Sequence, residues 1–480
     1  MEFYGFGARK MGRAGEGVAL SDGTESILSN PASLPGMKHP ELSVGFLIAD
    51  MHFTDIPDLW WDTNRDGRLD ETDPPLEADP VYDQVHGILI GATRPFGKRF
   101  AMGLGLFVPK DRLLRLATFE PSIPTYFLYA NRTQRYELGV GAGWRPIAGI
   151  AVGGGIQMIP RARYSLDATM EVVIEPAEDG AESPADVVHT SLDVHSMQLD
   201  LVPGFAPSLS VHWDAGEALP ALDGLQIGAA WRGEAGLPVD VDINLQANIR
   251  TGETEDLESI VLPLILAVQL GVFDHYTPEQ WTFGAGYTLV DTLTLSADMR
   301  RTSWDRMQVS IARVTHSSLD GAAVGLGEDP ISDGNPADIV LRATWAPRVG
   351  MDLRLPAIDG KRFGPIRILA RGGAGFEPTP LVSQGPDTAL LDADRVILAV
   401  GAGLEHDDPF RRVSPLVEQG RRLRWDAFFQ YHLLSTGQLD RPYPGEPTPG
   451  YPVGGSEQTG SSIPIGGHLL AAGLQFSAEY

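Results

Sequence analysis

At 480 residues the chain is long enough for two or three soluble domains or one large barrel. Its 63 acidic against 37 basic residues, a net charge of -26, exclude the basic patches that nucleic-acid binding needs. The absence of cysteine excludes disulfide frameworks and thiolate metal sites, and the longest uncharged apolar run, Ser259 to Phe273, falls short of the ~18 residues a spanning helix takes. A membrane, if there is one, is therefore crossed by strands. Strands dilute their apolar residues with lumen-facing ones, so a mean hydropathy of -0.08 does not count against them. No signal peptide is legible, because Met1 to Gly5 offers neither a basic stretch nor an apolar core; the expectation is a chain numbered from near its mature end.

Residues 1–40 do not read as a strand. Gly5 to Gly17 is glycine-rich, Asp22 to Leu34 has the makings of a short helix, and Asn30-Pro31-Ala32 with Pro35-Gly36 is strong punctuation. Composition alone leaves a loose leader and a folded segment equally open.

A strand over 41–53 leads into a long polar connection, 53–83, that holds a calcium-loop pattern. Asp62, Asn64 and Asp66 supply oxygens at positions 1, 3 and 5. Gly67 makes the turn at 6, Arg68 offers its carbonyl at 7, Leu69 is the apolar residue at 8, and Asp70 and Asp73 fill 9 and 12. Asp at position 12 is shorter than the usual Glu, and Pro74-Pro75 forbids an exit helix. The expectation is one isolated structural Ca2+ site on an external loop, with an acidic turn as the alternative.

From there the sequence alternates with period 2 rather than 3.6. Phe100, Met102, Leu104, Leu106 and Val108 interleave with Ala101, Gly103 and Gly105. Leu138 to Trp144, Trp281 to Leu289, Leu293 to Met299 and Val396 to Leu404 repeat the scheme, with Ile397 the exception. Further strands are expected near 84–96, 149–165, 190–213, 224–248, 259–273, 305–315, 338–355, 365–378 and 421–435. The raw count is about fifteen, since 259–289 and 293–315 can each be cut two ways, whereas an even number is expected of a bacterial barrel. Pro95 to Lys98, Pro146 to Ala148 and Val290-Asp291 read as short inner turns. The connections 110–131, 166–190, 316–337, 379–393 and 436–465 read as external loops.

The last eleven residues close the series. Leu470, Ala472, Leu474, Phe476, Ala478 and Tyr480 share one face and Leu469, Ala471, Gly473, Gln475, Ser477 and Glu479 the other. A soluble sandwich alternates too. Two features favour a barrel: the less apolar face is built of Gly, Ala, Ser and Thr, and aromatic residues gather at strand ends (Tyr126, Phe127, Tyr129; Trp425, Phe428, Phe429, Tyr431) as in interfacial girdles. The fold class read here is all-β, a transmembrane antiparallel barrel.

The stretch Gly12 to Gly23 with Asn30-Pro31-Ala32-Ser33-Leu34 resembles the N-terminal hatch of the long-chain fatty acid transporter family of outer-membrane proteins, which includes aromatic-hydrocarbon channels. Gly286 to Trp304, and Arg371 to Phe376 followed by Pro378, Pro380 and Asp394-Arg395, resemble strands of the same family. The resemblance implies fourteen strands over 41–480 and a hatch over 1–40 that plugs the lumen, with Asn30, Pro31 and Ala32 as hatch residues. It also implies a hydrophobic small-molecule ligand, lateral release into outer-membrane lipid through an inward strand kink, and a monomer. Arg9, Lys10 and Arg13 could face a ligand carboxylate, or pair with lumen acids.

No His-x-x-x-His pair, Gly-x-Ser-x-Gly elbow or phosphate-binding glycine loop is present, so an enzyme is not expected. Passive transport of fatty acids first, or aromatic hydrocarbons next, is the leading reading. A non-transporting surface barrel with calcium-stiffened loops for adhesion or envelope structure stays open beside it. A greasy path to the hatch favours the first, a bore full of charged pairs the second.

Overall fold

The computed structural model describes residues 6–20, 23–56, 59–61, 75, 82, 84–110, 123–130, 136–175, 186–251, 261–290, 292–307, 313–320, 339–360, 364–384, 388–407, 422–440, 452–454 and 462–480. Fourteen antiparallel wall strands close on themselves. They are β1 (Glu41–Phe53), β2 (Val85–Phe96), β3 (Phe100–Pro109), β4 (Glu137–Ile147), β5 (Ile150–Glu175), β6 (Asp186–Asp214), β7 (Leu225–Arg232, then Ala235–Thr251) and β8 (Val261–Thr277, then Gln280–Val290). The ring continues with β9 (Leu293–Thr302, then Arg313–Asp320), β10 (Thr344–Arg354), β11 (Gly364–Glu377), β12 (Arg395–Asp407), β13 (Arg422–Asp440) and β14 (Ser462–Glu479). Each pairs with the next, and β1 pairs with β14 from Glu41↔Glu479 to Phe53↔Gly467, which closes the ring.

The wavering strand count has a physical cause. β8 is interrupted at 278–279 and β9 after Thr302, and the two segments of each keep the same neighbours: 261–277 pairs with 235–251 and 280–287 with 225–232, while 313–320 pairs with 265–271 as 293–302 pairs with 280–290. Hydrophobic alternation loses phase at each bend, so one strand reads as two.

Parity along the strands matches the alternation. On β14 Leu474 is 65% exposed while Leu469 and Ala471 are buried, and on β1 Leu42, Val44, Phe46 and Ile48 face out while Leu47 and Ala49 face in. Stacked sheets would bury those outward side chains between layers. Here they form a continuous apolar exterior, which is stable only against hydrocarbon. No helix among the described residues is long and apolar enough to cross a membrane.

The aromatic residues at 126–129 depart from expectation. Tyr126, Phe127 and Tyr129 are buried inside the bore rather than set in a girdle; α3 (Phe127–Ala130), in the β3–β4 connection, folds inward. Phe428 is buried too, whereas Trp425 and Phe429 face out. Adjacent strand residues point to opposite sides, so Phe428 and Phe429 cannot both meet lipid.

Candidate functional site

The N-terminal segment stands inside the barrel as a plug. It holds α1 (Ala8–Met11), a short 3-10 turn at Gly23–Glu25, α2 (Ser26–Ser29) and a second 3-10 stretch at Pro31–Gly36. α1 is too short to stabilise itself, and its first amide groups find partners elsewhere. Ala8 N–H donates to Gln475 Oε1 (2.8 Å) on β14, and Arg9 and Lys10 N–H donate to the two Glu25 oxygens (2.8 and 2.9 Å). Its last carbonyls are met by Gln430 Nε2, which donates to Met11 O at 2.6 Å.

Asn30, Pro31 and Ala32 sit at the seam between plug and wall. Asn30 caps the following turn by accepting from Ala32 N–H (3.1 Å) and donates from Nδ2 to Val18 O (2.6 Å). Pro31 and Ala32 press on the inner faces of β4 and β5, where Gly143 and Gly153 leave no room for a Cβ. The wall is glycine at many such contacts, with Gly141 under Ile27, Gly228 under Val18, Gly373 under Arg13 and Gly401 under Gly12.

The plug is held by buried ion pairs. Arg9 Nη2 meets Glu41 at 3.1 Å and its Nε meets Glu25 at 3.5 Å and Asp426 at 3.9 Å. Arg13 donates to Asp352 (2.7 Å) and lies in ion-pair contact with Glu16 (3.1 Å), and Arg371 donates to Asp426 (2.7 Å). Asp298 on β9 accepts from Gly17 and Val18 N–H at 2.8 and 3.1 Å. Arg9 and Arg13 thus pair with lumen acids. Lys10 does not: its ammonium has no hydrogen bond or ion pair among the described residues, and it faces a cavity of about 100 Å³ between plug and wall. That cavity is lined by Phe6, Leu28 and Pro31 of the plug, by Arg232, Arg300 and Arg348, and by Glu137, whose Oε2 accepts from Gln157 (2.7 Å). Burial, with Arg300 and Arg348 adding to it, pulls the Lys10 ammonium down to about 8.

Above the plug the bore turns apolar. Leu47, Met51, Phe53, Leu89, Phe107, Trp304, Leu434 and Leu469 form one buried cluster with Phe6 and Met11 of the plug and with Tyr126 to Tyr129 and Ala389 to Leu391 of two connections. The bore is therefore ionic around the plug and greasy toward the end that carries the long connections. Sequence reasoning missed Glu41, Asp298, Asp352, Arg371 and Asp426. Their signal was available, since each is a charge at a lumen-facing position of an alternating strand.

The ladders β1–β2, β2–β3 and β3–β4 carry no register shift. The β6–β7 ladder stops at Ser208↔Arg232, beyond which residues 241–251 of β7 pair in parallel with residues 164–174 of β5, and the cavity reaches Ser208, Leu209 and Trp231 at that change of partner. The calcium-pattern residues Asp62, Asn64, Asp66, Arg68, Asp70 and Asp73 lie outside the described residues.

No family model matches the chain. A stretch of 73 residues is 36% identical to an uncharacterized protein from the 5' region of the phosphoenolpyruvate carboxykinase gene of Chlorobium limicola, 15% of this chain and 33% of that one. The chain thus matches about a third of the length of that curated relative. Among solved structures, a Pseudomonas aeruginosa FadL homologue aligns over 99% of this chain and 98% of its own, with a TM-score of 0.52 and 14% identity. The toluene transporter TodX of P. putida aligns over 100% and 99%, with a TM-score of 0.50 and 12% identity. At these identities what is shared is architecture. This chain has the fold of the FadL-type outer-membrane barrels: fourteen strands closed around an N-terminal hatch.

Proposed function

We propose that the chain is a passive outer-membrane channel for hydrophobic small molecules, with long-chain fatty acids ahead of aromatic hydrocarbons. The observation that carries this reading is the order of surfaces along the bore, an apolar chamber leading to a small cavity at the hatch where Lys10 stands unpaired. An acyl chain gains roughly 25 cal/mol per Å² of apolar area it buries, and an ammonium at the end of that path suits a carboxylate better than a neutral ring. Lateral release is proposed where β7 parts from β6: past Gly233 its residues 235–240 pair with β8, before 241–251 take up β5 as a parallel neighbour. A barrel closed by one chain needs no second copy, which supports a monomer.

The rival reading, a surface barrel without transport, draws support from the dense ion pairing around the hatch. Uptake of labelled oleate and of toluene separates the two. Cells carrying the barrel take up either label faster than cells lacking it, and deletion of residues 1–34 alters that rate; equal uptake with and without the barrel would end the transport claim. For the loop 62–73 the proposal is one structural Ca2+, on the spacing of its oxygen ligands alone. Isothermal titration with Ca2+ shows one site that Asp66→Ala removes, and an unchanged isotherm in that variant refutes it.

A further inference from the structure

Two connections close the mouth of the bore opposite the hatch, and they come from opposite sides of the wall. Residues 123–130 lie between β3 and β4 and residues 388–394 between β11 and β12, with eight wall strands separating them one way round and six the other. They meet as a parallel bridge, in which Thr125 N–H donates to Ala389 O (3.0 Å) and Leu391 N–H to Thr125 O (2.8 Å). Gln384 braces the second half by accepting from Leu390 N–H (2.7 Å) and donating to Leu390 O (2.9 Å).

The first half is latched to the wall. Tyr126 donates its hydroxyl to Gly466 O and accepts from Gly466 N–H, both at 2.9 Å, and its ring stacks on Phe53 at 3.9 Å. Tyr126, Phe127, Leu128, Leu390 and Leu391 are almost fully buried in the same apolar cluster that Phe6 and Met11 of the hatch enter from below. The space an apolar solute must cross is already filled by the chain's own apolar side chains.

We propose that residues 123–130 and 388–394 are a split lid whose side chains stand in the chamber in place of cargo, so that only a solute able to replace those contacts opens the bore from the outer end. Opening means separating the two halves at the Thr125–Leu390 bridge and exposing their apolar faces. A hydrophilic solute offers nothing in return, whereas an apolar one re-covers those faces as it binds and so shifts the balance toward the open form. Selection then occurs at the mouth, before cargo reaches Lys10. The lid stands on its own geometry; only the identity of the natural cargo rests on the transport reading.

The cysteine-free sequence allows a clean test. Thr125→Cys with Leu390→Cys places two thiols across a bridge of disulfide-compatible spacing. Ala471→Cys, at a buried, inward position on β14, adds a reporter in the chamber. In lipid vesicles, Ala471→Cys alone is modified by N-phenylmaleimide about ten-fold faster than by a sulfonated methanethiosulfonate, each rate taken relative to a free thiol. Oxidising the lid pair first slows the apolar reagent by about ten-fold. An apolar rate unchanged by the staple, or a charged reagent as fast as the apolar one, overturns the lid. Failure of oleate and toluene uptake in the wild-type channel would sink the transport reading while leaving the labelling result to decide the lid.

Discussion

Arg9→Met isolates the grip between hatch and wall. The guanidinium stands among Glu25, Glu41 and Asp426, all nearly fully buried, and methionine keeps most of its length while removing its charge. Taking one partner from a buried ionic group costs about 3–5 kcal/mol, because the opposite charges stay behind unpaired. The lower end applies here. Asp426 keeps Arg371 at 2.7 Å, and Glu25 keeps the Arg9 and Lys10 amides. Glu41 is left with Thr24 donors at 3.4 Å. A loss of about 3 kcal/mol corresponds to roughly a hundred-fold shift toward an undocked hatch. Conductance of the purified protein in a planar bilayer reads this once residues 123–130 and 388–394 are deleted from every variant compared, since only with the outer mouth open does an undocked hatch leave a water path: open-state occupancy then rises by about two orders of magnitude in Arg9→Met. Arg9→Met combined with Glu41→Gln, which removes the stranded charge, recovers most of the closure. If Arg9→Met conducts no more than wild type while the barrel is folded, the hatch is not held by these ion pairs and the reasoning fails.

Gly153→Val drives a side chain into the backbone of Pro31 and Ala32 and forces the hatch to shift by on the order of 1 Å, at about 1–3 kcal/mol; the same conductance assay shows a leak. Gly437→Ala, where a Cβ meets nothing within 4 Å, shows none. Oleate binding by isothermal titration weakens as pH rises through about 8, where the Lys10 ammonium loses its proton. Lys10→Met abolishes that dependence and leaves toluene uptake unchanged. In the lid, burial pushes the Asp392 carboxyl up to about 7, with Asp394 adding to it and the Thr379 hydroxyl opposing; Tyr126 faces it from the other half and Glu377, Arg300 and Arg395 across a small cavity. An opened, solvated Asp392 titrates near 3.9, so the closed lid holds its proton more tightly and closure weakens between those two pH values. Toluene uptake therefore quickens from pH 5 to pH 8, and Asp392→Asn flattens the profile.

Much of the wall was legible because β-strand parity is a local property: Leu470 to Tyr480 needs only its own neighbours to declare which face is greasy. The bends in β8 and β9 were not, since a phase slip in a ladder looks the same as a new strand. Arg9 and Arg13 were suspect as cations in a glycine-rich segment, yet besides Glu25 and Glu16 in the plug their wall partners lie on β1, β10 and β13, hundreds of residues away in two of three cases, and no spacing rule reaches that far. The lid failed for another reason. Tyr126, Phe127 and Tyr129 lie outside a strand, so no alternation says whether a ring meets lipid or lumen, and composition is the same for both. Lys10 was one of three candidates, and only the pairing of its neighbours with acids singles it out.

The glycine lining has a mechanical consequence. Where Ile27, Val18, Arg13 and Gly12 lie on Gly141, Gly228, Gly373 and Gly401, backbone rests on backbone with few protruding side chains to interlock. A stopper seated on so smooth a sleeve resists withdrawal through discrete charge contacts that release one after another, rather than through a keyed fit that must fail all at once.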